Sequence, residues 1–363
     1  MGRFFNGTYP SLLKKLDAHV ARTQKNFASQ SSLAVEALIL GGGYGRGEGG
    51  VDLTSVEPGL YNDLDYFLFS PTPDDPELLS TVREYERVES EALGIDVEVT
   101  CLAPSKLEGA ERSMMFFDLV MGHCVVVGPE DYLAAWQPMM KPELIAPIEA
   151  TRLLWNRGSG LFFARCRLDD VAARDFIYRQ HMKLALSLGD ALLCMAGQHD
   201  AFCEVRGERF AQLDSPLATD EIRELHRTGV AFKQRPHEPT ADLDLAVQNE
   251  RLRALWLTVF LAVESERIGS TFADATAYAR CPKRLFPQES KIHCLLLALR
   301  DRIKRGAWLN PVSDYPRGAL MRALTQLNSP VPNLDQIGKC LPIKKTDLKS
   351  ISDIYETWWS YYS

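Results

Sequence analysis

The sequence predicts an α/β chain of the α+β kind: a mixed sheet with flanking helices to about residue 140, then an all-helical domain. Three observations carry this. The apolar run Ala37-Leu38-Ile39-Leu40 breaks at Gly41-Gly42-Gly43, as a buried strand entering a tight turn does. Two more strand-like runs, Leu64–Phe69 and Ile95–Cys101, flank a stretch of helical spacing from Glu77 to Leu93. From about Pro142 onward the apolar spacing is helical almost throughout.

The elements follow in order. Pro10-Ser11 opens a helix with Leu12, Leu13, Leu16 and Val20 at helical spacing, proline being welcome in a first turn. Strands follow at 37–40 and 64–69, the second closed by Ser70-Pro71. The third alternates Ile95/Val97/Val99 against Asp96/Glu98/Thr100, a period of two that lines carboxylates along one face. Cys124–Val127 adds a fourth, closed by Gly128-Pro129. Helices are expected at Ile145–Phe163, Asp175–Ala196, Asp220–Phe232, Asn249–Ile268 and Glu289–Arg305, with Arg235–Thr240 a loop and Asn310–Pro342 looser chain. Asn156–Gly160 reads as an interruption of an apolar helix, either a kink or a place where backbone comes near the cleft. The expected domains are 1–140 and 141–363, in line with ~150 residues per domain for a chain of 363.

Composition excludes several classes. Lysine and arginine number 41 against 48 acidic residues, a net charge of −7, which argues against a basic sleeve for long nucleic acid. The eight cysteines are scattered without a CxxC pair, so neither a disulfide framework nor a thiolate metal site is expected. Met1–Phe5 lacks a leader's apolar core, and Gly2 lacks the myristoylation pattern. The longest clean apolar run, Ala254–Val263, is half of a ~20-residue membrane span, so no membrane partner is expected. The expectation is a reduced, cytoplasmic protein.

Two motifs carry chemistry. In Leu40-Gly41-Gly42-Gly43-Tyr44-Gly45-Arg46-Gly47-Glu48, glycines after a strand let backbone N–H groups approach phosphate, while Arg46 either ties the turn to a carboxylate or reaches a phosphate. In Asn62-Asp63-Leu64-Asp65, two aspartates one residue apart at a strand start point to the same side. Such a pair is unfavourable unless a cation neutralises it, and hard oxygen ligands suit Mg²⁺. Asp96 on the next strand completes a two-metal clamp, with Glu98 two residues on as the alternative. Gly45, Gly47 and Gly50 also satisfy GxGxxG, but several residues too late for a dinucleotide turn at a strand end. A serine nucleophile has no GxSxG to support it.

Gly42-Gly43-Tyr44-Gly45-Arg46-Gly47-Glu48 followed by Asn62-Asp63-Leu64-Asp65 resembles the signature of the DNA polymerase β-like nucleotidyltransferase superfamily. The glycine motif is most similar to that of bacterial uridylyltransferases acting on the PII signalling protein, and is similar also to the GSxARGE form of antibiotic nucleotidyltransferases. The resemblance covers roughly residues 35–130. It implies Mg²⁺ (two ions, with Mn²⁺ as an alternative), a nucleoside triphosphate donor, and a helical domain closing the cleft. Carried over, Gly42 and Gly43 lie under the triphosphate, Asp63 and Asp65 bind metal, and Asp96 completes the site. It further implies that Lys183 meets the triphosphate with Ser187 one turn later; both lie on the helical stripe Arg179, Lys183, Ser187, Asp190. Two departures stand out: Gly43 replaces the serine of many members, and Gly49–Tyr61 is longer than the usual link.

The reaction implied is transfer of a nucleoside monophosphate to a hydroxyl-bearing small molecule or protein, with release of pyrophosphate. The alternative is a catalytically silent nucleotide- or partner-binding protein of the same fold. His123 and His181 lack a second ligand at metal spacing and are expected to be structural. Trp358, Trp359, Tyr361 and Tyr362 are expected to dock the tail onto the helical domain, and Gly189 to mark a close packing contact.

Overall fold

The computed structural model describes residues 3–28, 33–53, 57–344 and 346–362. Gly2 and the middle of the long link, residues 54–56, lie outside the described residues. The chain divides into two compact units. The first comprises Met1–Ala146, Ala196–Asp214 and Arg227–Glu238; the second comprises Pro147–Met195, Ser215–His226 and Pro239–Ser363. The division therefore falls slightly later than the expected 140/141. Two segments expected in the helical domain belong to the first unit.

The first unit begins with α1 (Pro10–Ala28), β1 (Ala37–Leu40) and a single helical turn, α2 (Gly42–Gly45). A small ladder of β2 (Val51–Asp52) and β3 (Gly59–Leu60) precedes β4 (Leu64–Phe69), α3 (Pro76–Leu93) and β5 (Val97–Leu102). Next come α4 (Met114–Met121) and β6 (Cys124–Val127). The main sheet runs β5-β4-β1-β6, with β4 and β5 parallel and β1 antiparallel to both its neighbours. α3 is the crossover the parallel pair requires. Asp75 caps its first turn by accepting from the Glu77 and Leu78 N–H groups, Pro76 opens it, and Gly94 closes it in the left-handed region.

One sheet face packs Leu38, Leu40, Leu64, Tyr66, Leu68, Val97 and Val99 against Leu12, Leu16 and Val20 of α1 and Leu78, Val82 and Tyr85 of α3. A polar link crosses this core. His19 bridges Glu89 (2.7 Å) and the Tyr66 hydroxyl (2.9 Å), and Arg22 donates to Glu89 from outside. The free edge of β5 is covered from α3: Val97 N–H donates to Ser90 Oγ and Val99 N–H to Glu86 Oε1.

The second unit is built on α5 (Ile148–Arg165) and α6 (Arg174–Met195). The chain then supplies α7 (Cys203–Ala211) to the first unit. α8 (Asp220–Gln234) starts in the second unit and ends in the first. α9 (Leu245–Ile268), α10 (Ala275–Ala279), α11 (Lys291–Arg305), α12 (Pro316–Leu327), α13 (Leu334–Cys340) and α14 (Leu348–Tyr362) complete the second unit.

Two expectations are corrected here. Asn156–Gly160 does not interrupt the helix: α5 runs through it, and Gly158 is where Trp256 of α9 lies so close that a Cβ would sit 2.4 Å from its ring. Asn310–Pro342 is not loose: it holds α12, buried along its whole length apart from Arg317, and α13. A helix buried on all sides shows no polar face, so its periodicity is silent. Gly189 does mark a close contact, a Cβ there falling 2.3 Å from the His226 ring. α14 docks as expected, with the Tyr355 hydroxyl accepting from Trp155 Nε1 and Trp359 edge-on to Phe163. All eight cysteines are free thiols. Among the described residues, no helix is long and apolar enough to cross a membrane.

Candidate functional site

β1 delivers the chain to the glycine turn at the sheet's end. Gly41 N–H donates to the Asp65 carbonyl (2.8 Å), pinning the turn beside the start of β4. Gly42 follows at φ +59°, and a Cβ there would lie 2.2 Å from Asp65 Oδ2. Only glycine combines that backbone with a carboxylate at that distance. Gly43 contributes its carbonyl to the Glu48 N–H (2.8 Å), closing the loop.

The link from Gly49 to Tyr61 is clamped at its base. The Tyr44 hydroxyl donates to the Gly50 carbonyl (2.7 Å) and accepts from Tyr61 N–H (3.1 Å). Asn62 Oδ1 accepts from Gly50 N–H (3.0 Å). Burial pushes the Tyr44 phenol up to about 12, so it stays a neutral donor.

Arg46 takes the first of its two expected roles. Its side chain is buried between Glu48 (3.7 Å) and Asp118 (3.8 Å). Glu48 in turn accepts from Cys203 N–H at the first turn of α7 (2.8 Å), where the helix dipole favours a carboxylate. Asp118 accepts from His199 Nε2 (2.8 Å). Burial works to raise the Asp118 carboxyl, but the His199 bond and the Arg46 charge outweigh it and hold it below the usual range. Arg46 Nε and Glu48 Oε2 are buried without a hydrogen-bond partner in the structure.

The carboxylates meet along the β4–β5 pair. The register sets Leu64 across from Val97 and Asp65 across from Glu98. In a parallel pair such partners share a face. Asp65 is pushed up to about 7 by burial first, then by the charges of Asp63 and Glu98, against the pull of Arg46 and Lys233. Glu98 is raised by burial and by Asp63, Asp96 and Glu86. Asp96 precedes the paired stretch, its carbonyl accepting from Leu64 N–H (2.9 Å) and its exposed side chain acting on Glu98. Thus Asp63, Asp65 and Glu98 act on one another directly, with Asp96 at the edge beside Glu98. Among the described residues, no three His, Cys, Asp or Glu side chains are gathered tightly enough to form a metal-holding group. Asp63 and Asp65 alone match what Mg²⁺ takes from a protein when substrate phosphates and water fill its other positions.

Opposite this acidic cluster is a cationic one that the sequence did not reveal. Lys233, near the end of α8 and in the first unit, has its ammonium pKa lowered by burial and by the Arg206 and Arg46 charges, more than Cys203 and Glu48 raise it. Arg206 of α7 is buried and donates to the Asp200 and Ala201 carbonyls (2.7 and 3.1 Å). Lys183 and Ser187 lie in the second unit. Lys183 is exposed, whereas Ser187 is buried with its hydroxyl donating to the Leu184 carbonyl (2.9 Å). The stripe they belong to is not one solvated face, since Asp190 is buried and ion-paired with His226 (3.0 Å). His181 is structural, bonded to Gln248 and Asn249, and burial lowers it to about 4.

No protein-family model matches the chain, and no curated protein matches it significantly. A solved structure to which it is similar is the crystal structure of a nucleotidyltransferase-like protein from Exiguobacterium sibiricum 255-15. The match is 11% identical, covers 79% of this chain and 91% of that one, and has a TM-score of 0.24. A superposition that loose carries no argument about this chain.

Proposed function

We propose that the protein is a nucleotidyltransferase: it moves a nucleoside monophosphate from a nucleoside triphosphate to a hydroxyl on a small molecule or protein and releases pyrophosphate. One observation carries the proposal. Two clusters of opposite charge meet at the glycine turn, each destabilised by burial and then by its own members. Asp65 is raised by burial and then by Asp63 and Glu98, and Lys233 is lowered by burial and then by Arg206 and Arg46. A cation relieves the first and a phosphate the second, so a metal–triphosphate complex relieves both together.

In this reading Asp63 and Asp65 hold Mg²⁺, which when bound supplies charge neutralisation for the donor's phosphates. Gly42 and Gly43 leave room for the triphosphate, and Lys233 meets it from α8. The acceptor oxygen forms its bond to the α-phosphorus as the bond to the β-phosphoryl oxygen breaks. The acceptor's proton passes to Glu98, whose raised pKa suits a base. Positioning and electrostatics supply the rate.

Thermal shifts test the binding half. The parent should be stabilised by triphosphate only with Mg²⁺ present and not in EDTA, and Asp65→Asn and Lys233→Ala should each lose the shift. A metal-independent shift with triphosphate, or a shift with NAD, overturns the proposal. Mass spectrometry of metabolites and proteins after incubation with labelled triphosphates tests the chemistry. A mass gain of one nucleotide names donor and acceptor, whereas binding without transfer leaves the silent binder.

A further inference from the structure

α11 is turned inside out relative to an ordinary surface helix. Cys294, Ala298 and Asp301 face inward and are buried. Ile292, Leu295, Leu296, Leu299 and Ile303 face outward, each between 56 and 76% exposed. Their spacing of three and four residues makes one continuous aliphatic stripe along the helix. Scattered exposed aliphatic side chains need no explanation, but five on one stripe do.

The rim of the stripe is cationic and aromatic. α11 carries Lys291, Arg300, Arg302, Lys304 and Arg305 in a chain whose net charge is −7. Its one carboxylate, Asp301, is buried and engaged by the Tyr362 hydroxyl and Arg300. Trp308 and Tyr361 are about two-fifths exposed, and guanidinium groups lie over their rings: Arg302 over Trp308 at 5.2 Å and Arg305 over Tyr361 at 3.9 Å.

We propose that this face of the second unit docks on an anionic lipid surface, lying in the headgroup layer without crossing it. Charge complementarity selects that occupant. A second copy of the chain would bring two cationic rims together. A lipid interface instead accepts aliphatic side chains at the centre, Trp and Tyr at the boundary between apolar and wet, and Lys and Arg against anionic headgroups. Nothing in the face needs a complementary groove, because the stripe projects outward from a helix already anchored on its other side.

Co-sedimentation of the full-length protein with vesicles tests this. The parent should pellet with phosphatidylcholine vesicles containing about one-third phosphatidylserine at low ionic strength, and stay in solution with phosphatidylcholine alone. Leu296→Gln combined with Leu299→Gln should abolish pelleting with the far-UV spectrum unchanged. Lys291→Gln with Lys304→Gln, which leaves the apolar stripe untouched, should weaken binding about thirtyfold. Failure of the parent to pellet with the anionic vesicles overturns the proposal. So does a parent dimer in light scattering that the leucine variant returns to monomer, which assigns the face to a second copy.

Discussion

Asp65 stands between a glycine that leaves its carboxylate room and two carboxylates that penalise its charge. Its folded-state pKa of about 7 lies above its ordinary value, so the folded chain keeps a proton that the unfolded chain has released. Stability from this group is therefore full below about pH 4, falls as pH rises towards 7, and is flat above. Asp65→Asn should flatten that slope and raise stability at pH 8 in EDTA by about 1–3 kcal/mol. Denaturant melts of both proteins at pH 5 and pH 8 check it. Parallel pH slopes in parent and variant place the carboxyl in water and disprove the coupling. That the Asp63 charge acts on Asp65 was legible from their spacing of two at a strand start, although Asp63 itself precedes β4. Which carboxylate stands across from Asp65 was not. It depends on where β5 begins to pair, and pairing starts at Val97 rather than at the expected Ile95. Lys233 left no trace at all, because a lysine's partners from distant segments have no spacing to read.

Helix packing explains both a clear success and a clear failure of the sequence pattern. Every expected strand of the main sheet and every helix named in advance is present, since period and turn residues are local properties. Gly158 was legible as unusual but misread. Its reason is the Trp256 ring of α9, a contact invisible from within α5. Alanine is the better helix former by about 1 kcal/mol, so propensity alone predicts that Gly158→Ala stabilises. The crossing predicts the opposite, a loss of about 1–3 kcal/mol, because a methyl must displace a buried indole. The sign of the change in thermal midpoint decides between them. α11 teaches the complementary lesson. Periodicity announces an apolar stripe but not whether anything covers it, and here Cys294, Ala298 and Asp301 took the inward side.

Across the whole molecule the chain does not finish one unit before starting the next. The first unit needs α7 and residues Arg227–Glu238 from beyond the boundary, and sequence order gave no hint that they return. A fragment ending at Ala146 would keep the entire sheet yet bury Glu48 without the Cys203 N–H and lose Lys233 altogether. Taking that hydrogen bond from a buried carboxylate costs about 1–3 kcal/mol, a sizeable share of the total stability of a domain. The fragment should therefore show strand signal without a cooperative near-UV melt. A sharp transition matching the full chain's would show the returning segments to be dispensable.

The Tyr44 hydroxyl fixes the distance between the ends of the Gly49–Tyr61 link independently of what lies between them. Gly50 and Tyr61 are tied to one phenol, and Asn62 seconds the tie one residue before Asp63. Changes between Asp52 and Gly59 should therefore leave Asp63 and Asp65 in their places. That would make the link a region where mutation can explore new molecular encounters at little risk to the carboxylates, a division of evolutionary labour held by one phenol, one amide and a short ladder.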